Sequence, residues 1–339
     1  MNKNILALIV IFLCIGCLGL GYINAYNNKD VITQDSSEGG KKNKNIISTD
    51  AKVGVIDLQG VIENSAKSEL FSMDYSASNA LKSLRSAVDD NSVKGIILRI
   101  NSPGGTVAMS QNINEEVMRV RANKPVIVLI EDMAASGGYY IACAGDRIIA
   151  KEGSLTGSIG VIFSTFDLHK LMQDKLFINS NVIKSGRFKD IGSSYREMTN
   201  DEKTLLQDIV DDSYEQFISA IVNGRVNRDD KYTAEKTHLT ENKLREIADG
   251  RIFTGSQAKK LGLVDITGGI NKAEEVMQTM VNEKFNSKTK IKLVNYNKKS
   301  SLNEYLFGVT ESLFNRNLEV SSLLPVSMRL TKRPLYLWE

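Results

Sequence analysis

Serine, lysine and glycine are the residue types through which this chain of 339 amino acids could do chemistry. Two glycine-rich turns each follow an apolar run and precede a segment with helical spacing. The first is Asn101-Ser102-Pro103-Gly104-Gly105, after Val93–Ile100. Glycine at a strand end removes Cβ atoms and lets backbone N–H groups face a ligand. Two such groups aimed at one point form an oxyanion hole. The plainer reading is a tight turn that uses proline and glycine for their backbone angles. The second turn is Met133-Ala134-Ala135-Ser136-Gly137-Gly138-Tyr139-Tyr140, after Val126–Ile130. A serine there stands at a helix start among small neighbours, where the helix favours negative charge on oxygen. The plainer reading is a serine that only caps the helix. The two turns reinforce each other, because open parallel sheets bind ligands at the carboxyl ends of their strands.

A nucleophilic serine needs a base. The chain has two histidines. His169 lies in Asp167–Met172 and His238 in the charged stretch Glu235–Glu241, and both read as surface side chains. Neither lies near a glycine-rich turn, so the base falls to lysine. A free lysine, with a pKa of about 10.4, is protonated and inert; an apolar wall lowers that value by several units. Lys184-Ser185-Gly186-Arg187-Phe188-Lys189-Asp190 offers Lys184 and Lys189, and spacing alone does not choose between them. Composition narrows the chemistry further. Of three cysteines, Cys14 and Cys17 lie in an apolar N-terminal run, which leaves Cys143 alone and excludes a disulfide framework. Histidine and cysteine are too scarce for an ordinary zinc site. A net charge of +3 argues against a nucleic-acid binder.

The elements that must hold these residues alternate. Val53–Leu58, Val93–Ile100, Val126–Ile130, Arg147–Ala150 and Ile159–Phe163 read as strands. Ala77–Val88, Val107–Val120 and Gly137–Ala144 read as helices between them. That order implies βαβ units and parallel strands. Thr199–Val222 reads as a long amphipathic helix with a Thr199/Glu202 capping box. A second helical zone ends near Val281, and Lys290–Tyr296 reads as a strand.

Ahead of the α/β part, Ile5–Ile23 is apolar and about 19 residues long, roughly a bilayer core at helical rise. Ile23 makes a poor position −3 for cleavage, so residues 1–26 are expected as an uncleaved anchor, with the bulk of the chain outside the cytoplasm. Residues 27–50 are polar and read as a flexible linker, 51–285 as one α/β domain and 286–339 as a tail. The tail ends Pro334-Leu335-Tyr336-Leu337-Trp338-Glu339, which suits packing on a surface. A sharper expectation is that it reaches the active site and controls access.

Several motifs in order resemble the signal peptide peptidase A family of serine proteases with a Ser/Lys dyad. They are residues 101–105, Ala135–Tyr140, Thr156-Gly157-Ser158-Ile159-Gly160-Val161, Ser185–Lys189, and Arg251, Gly255, Ala258 and Gly262-Leu263-Val264-Asp265. The single domain is similar to the shorter form of that family. The resemblance implies Ser136 as nucleophile, Lys189 as general base and acid, and Ser158 as the serine that orients the lysine amine. It implies an oxyanion hole from Gly104 or Gly105 with Gly137. It also implies a crotonase- and Clp-protease-like fold of repeated ββα units with parallel sheets, no metal or nucleotide, membrane-mounted rings with dyads shared between protomers, and residual signal peptides as substrates. Asp190 would raise the pKa of Lys189 on approach and Arg187 would lower it, so Asp190 is expected to face away. Two rivals remain at this stage. One is a crotonase-type acyl-CoA enzyme and the other a non-catalytic membrane scaffold of the same fold.

Overall fold

The computed structural model describes residues 50–64, 74–228, 231–235, 238–297 and 335–337. The expected anchor at 1–26 and nearly all of the linker lie outside the described residues. Among the described residues no helix is long and apolar enough to cross a membrane.

Alternation of apolar side chains builds the centre of the domain. Along β2 (Val93–Ser102), Ile96, Leu98 and Ile100 enter one buried cluster and Ile97 the opposite one. Along β4 (Val126–Ala135), Val126, Val128 and Ile130 face the first cluster, and Ile127 and Leu129 the second. Successive side chains of a strand point to opposite faces, so strands buried on both faces read as continuous apolar runs. Helices cover both faces. On one lie α1 (Ala77–Asp89), α2 (Val107–Asn123), α3 (Gly137–Ala142) and α4 (Asn200–Ile221). On the other lies α7 (Ile270–Phe285), through Ala273, Met277 and Met280. The short helices α5 (Glu241–Ile247) and α6 (Gly255–Leu261) precede α7.

The main sheet is mostly parallel. β1 (Ala51–Gln59) pairs with β2, and β2 with β4, in parallel register, Val55 opposite Ile97 and Leu98 opposite Val128. β4 then carries two partners along its length. Its first half pairs with β5 (Arg147–Ala150) and its second half with β6 (Leu155–Gly157). β7 (Ile252–Thr254) closes that edge antiparallel to β6, and β8 (Ile266–Thr267) pairs with β5. β9 (Ile291–Asn295), in the stretch expected as a tail, runs parallel to β1. Asn297 holds it there by exchanging hydrogen bonds with the Asp57 backbone. The sheet therefore extends past Phe285.

The strand expected at Ile159–Phe163 lies upstream, as β6. Gly157 and Ser158 have φ of 88° and 49°, and two successive positive φ values end an extended strand before Ile159. The capping box of α4 forms as expected. The Thr199 N–H donates to Glu202 Oε2 at 2.9 Å, and the Glu202 N–H to Thr199 Oγ1 at 3.3 Å.

A buried charge cluster ties the far end of the motif series into the core. Asp265 accepts Nη1 and Nη2 of Arg225 at 2.8 Å and those of Arg228 at 3.2 Å. Burial alone would push its carboxyl up, but the two guanidinium groups outweigh that and hold it well below the usual carboxylate range. Asp265 in the Gly-Leu-Val-Asp motif is thus an architectural residue.

Candidate active site

The carboxyl ends of β2, β4 and β6 converge on Ser136. β4 ends at Ala135, and Ser136 stands in the N-cap position of α3 with φ 52° and ψ −116°. That conformation is rare for any residue but glycine and costs on the order of 1–3 kcal/mol. The backbone holds it there. The Ser136 N–H donates to the Gly157 carbonyl at 2.9 Å, and its own carbonyl accepts the Tyr140 N–H at 2.9 Å. The side chain makes no capping bond. Its Oγ is buried and has no hydrogen-bond partner among the described residues. A serine kept only as a cap would put its oxygen on the N–H of the second or third helical residue. The plainer reading of Ser136 is therefore excluded by geometry.

Gly104 and Gly105 form β3 (Gly104–Thr106), and α3 packs against it. Gly104 has φ 109° and donates its N–H to Ser102 Oγ at 3.1 Å. A Cβ on Gly105 would sit on the Ile62 carbonyl oxygen, so only glycine fits. The Thr106 N–H donates to that same oxygen, which ties one edge of β3 to Ile62. The other edge carries β10 (Leu335–Leu337), antiparallel, with Leu337 opposite Gly104 and Tyr336 opposite Gly105. The Gly137 N–H, at the first helical position, has no acceptor within α3. Beyond Thr106 a groove of about 750 Å³ opens between α1 and α2, with Leu81, Val107 and Met109 along its walls beside the polar side chains of Lys82, Arg85 and Gln111.

Ser158 follows Gly157 and is thus the residue next to the acceptor of the Ser136 N–H. It is buried and donates its N–H to the Arg251 carbonyl at 2.8 Å. It lines a cavity of about 560 Å³ with Ile159, Val161, Tyr214 and Gly250.

Lys189 is placed differently. It lies on a long irregular arm between β6 and α4, in a turn closed by its own N–H on the Gly186 carbonyl at 3.1 Å. The side chain is exposed, and its ammonium has no hydrogen-bond or ion-pair partner among the described residues. A single chain thus brings Ser136, Ser158 and the glycine turns together and leaves Lys189 outside. Lys184 is engaged elsewhere, with Nζ on Asp190 Oδ1 at 2.6 Å and on the Arg187 carbonyl at 3.1 Å. The expectation that Asp190 faces away from Lys189 agrees with this, since Asp190 also binds Arg196. His169 pairs with Asp167 on the same arm and His238 is exposed; neither meets the serine.

A Clp protease model matches residues 72–154, the part that holds β2, β3, β4 and Ser136. The model of peptidase family S49 matches residues 118–284. A protein described as a protease from Synechocystis is 40% identical over 200 residues, 59% of this chain and 67% of its own length. One described as a signal peptide peptidase from Enterococcus faecium is 34% identical over 211 residues, 62% of this chain and 57% of its own. The chloroplastic serine protease of Arabidopsis thaliana is 32% identical over 250 residues, 73% of this chain and 35% of its own. The chain thus spans between about a third and two thirds of the length of these relatives. It belongs to peptidase family S49, a family of serine peptidases.

Proposed function

We propose that this chain is a membrane-anchored serine endopeptidase in which Ser136 is the nucleophile and Lys189 of a neighbouring copy is the general base. The observation that carries the reading is the Ser136 hydroxyl: buried, without a partner among the described residues, and held in a backbone conformation that serine does not favour. A buried hydroxyl left unmade costs roughly 1–3 kcal/mol, so an unpartnered one at a glycine-rich strand end is a place prepared for another group.

In this mechanism Ser136 Oγ attacks the scissile carbonyl carbon while neutral Lys189 Nζ takes the hydroxyl proton. The carbonyl oxygen becomes an oxyanion that accepts the N–H groups of Gly137 and Gly105. Gly104 shapes that turn, its own N–H being spent on Ser102 Oγ. The carbon–nitrogen bond then breaks, and the departing amine takes the proton from the Lys189 ammonium. Water attacks the acyl carbon, losing a proton to Lys189; the bond from that carbon to Ser136 Oγ then breaks, and Oγ takes the proton back from the Lys189 ammonium, which restores both groups. Ser158, next to the site, orients the amine. A neutral lysine demands a dry site, which an apolar substrate helps to make.

Three features favour peptides as substrates. The edge of β3 accepts an extended polypeptide, as β10 shows. The groove beyond it is lined by Leu81, Val107 and Met109 together with the polar side chains of Lys82, Arg85 and Gln111. The apolar stretch Ile5–Ile23 would hold the enzyme at a membrane, where residual signal peptides lie. Assembly accounts for the rest. The arm that carries Lys189 exposes Phe177 by 84% and Ile183 by 102%, a degree of apolar exposure that calls for a covering surface. A second copy that covers the arm also receives Lys189.

The test uses the full chain in detergent and a fluorogenic apolar peptide. Ser136→Ala and Lys189→Ala each abolish cleavage, and Lys184→Ala retains it. Dissociating, mixing and reassembling the two inactive variants restores a fraction of the activity, because some interfaces then pair an intact serine with an intact lysine. Cleavage that survives Lys189→Ala overturns the choice of base. No recovery on mixing overturns the shared dyad.

A further inference from the structure

The turn that carries Lys189 is tied down at both ends by ion pairs to the start of α4. Asp190 accepts Arg196 Nε at 2.8 Å and Nη2 at 2.7 Å, and Lys184 Nζ at 2.6 Å. Arg196 continues to Glu202 through Nη1 at 2.8 Å and through Nη2. Glu202 is buried and is the third-position residue of the α4 capping box, so Arg196 joins the lysine turn to a helix end that is already fixed. On the other side of the turn Arg187 Nη2 meets Asp201 Oδ2 at 2.6 Å, with its guanidinium 4.3 Å from the Phe188 ring centre.

The charges in this cluster balance. Lys184, Arg187 and Arg196 stand against Asp190, Asp201 and Glu202. Asp167 and His169, farther along the arm, pair with each other. Lys189 is the charged side chain of the turn that the network leaves out.

We infer that Arg196 is a positioning residue for the reaction: by engaging both carboxylate oxygens of Asp190 and anchoring on Glu202, it fixes the lysine turn and keeps the Asp190 carboxylate from Lys189. This rests on Lys189 being the base. A single arginine suits both tasks because its planar fork binds two carboxylates at once, which lysine cannot copy. Without it the Asp190 carboxylate keeps only Lys184, which holds one of its oxygens, and can turn toward its sequence neighbour, favouring the ammonium that cannot accept a proton.

The test is the pH dependence of kcat in the full-length assembled protein. Arg196→Met lowers kcat by on the order of tenfold to a hundredfold, with KM changed little. It also moves the alkaline-going rise of kcat upward by about one pH unit, as an approaching opposite charge does. Adding Asp190→Asn to Arg196→Met returns the midpoint to its original pH. Asp190→Asn alone moves the midpoint down, because Arg196 and Lys184 then lack their carboxylate. An unshifted midpoint in Arg196→Met, or a double variant that stays shifted, overturns the inference. If Arg196→Met does not assemble, Asp190→Asn decides alone, and a midpoint that does not move downward is the contrary result. Lys189→Ala, run beside these, separates the two readings. Activity without Lys189 removes the base and with it this role, whereas a dead Lys189→Ala with an indifferent Arg196→Met removes the role only.

Discussion

Ser136 is held where serine does not go by itself. Its φ of 52° carries a cost that packing around α3 and the bond to Gly157 sustain. The cost is a testable quantity. Ser136→Gly removes both the Cβ strain and the unpartnered hydroxyl, so the variant unfolds at a higher urea midpoint, by about 1–3 kcal/mol relative to Ser136→Ala, which keeps the strain. Equal stability of the two variants would mean that the conformation is relaxed and that Ser136 is not under the constraint described. Both variants are expected to be inactive, so stability and activity separate at this one position.

At the scale of elements, the site depends on turns that tolerate no substitution. An alanine at Gly105 places its Cβ on the Ile62 carbonyl oxygen, and the strand must move. Gly105→Ala is expected to lose cleavage by a factor on the order of a hundred, since misplacement of about 1 Å at a reacting centre suffices for that. Circular dichroism of the helices checks that the fold survives. Normal cleavage by a folded Gly105→Ala protein would remove β3 from the site.

The lysine turn has its own signature in acid. Glu202, bonded to Arg196 and to the Thr199 N–H, titrates at about 2 instead of its ordinary 4.5, and Arg196 with Lys184 holds Asp190 well below its usual range. Groups lowered in this way stabilise the folded turn above the ordinary carboxylate range. The stabilisation is lost as pH falls from about 4.5 toward 2. Limited proteolysis between Lys184 and Glu202 is therefore expected to rise over that window, before the central sheet unfolds. Cleavage that stays flat until global unfolding would count against the ionic network.

The whole molecule is organised around what one chain can and cannot complete. The sheet, with helices on both faces, gathers Ser136, Ser158 and the glycine turns, and the chain's own C-terminal strand lies along β3 beside them. A strand in that place competes with any peptide that uses the same edge. Removing residues 298–339 spares β9 and Asn297, both part of the sheet. The truncated protein is expected to cleave short peptides faster, on the order of tenfold, as when a tethered competitor at high effective concentration is released. Its Ser136 should also label faster with a fluorophosphonate. Unchanged rates in both assays would show that β10 does not limit access.

What the sequence determined by itself was local. Apolar runs of four to eight residues, helical spacing and the Thr199/Glu202 box place β1, β2, β4, β5, α1, α2 and α4 within a few residues, because strand and helix periodicities are written in neighbouring side chains. The ordered motifs marked Ser136, Ser158, Lys189 and the glycine turns as positions of interest. They did not distinguish a capping serine from an unpartnered one; that distinction is a φ angle and an absent hydrogen bond. Nor did they reveal that β6 stops at Gly157, since nothing in the side chain of Ser158 announces its positive φ. The choice between Lys184 and Lys189 was open to spacing; the folded chain pairs Lys184 with Asp190 and leaves Lys189 exposed, which no reading of neighbouring residues could tell. Pairings such as Arg196 with Glu202, Arg225 with Asp265 and β10 with β3 join residues whose separation along the chain carries no signal. They depend on which surfaces the packed sheet brings face to face, and only the folded chain decides that.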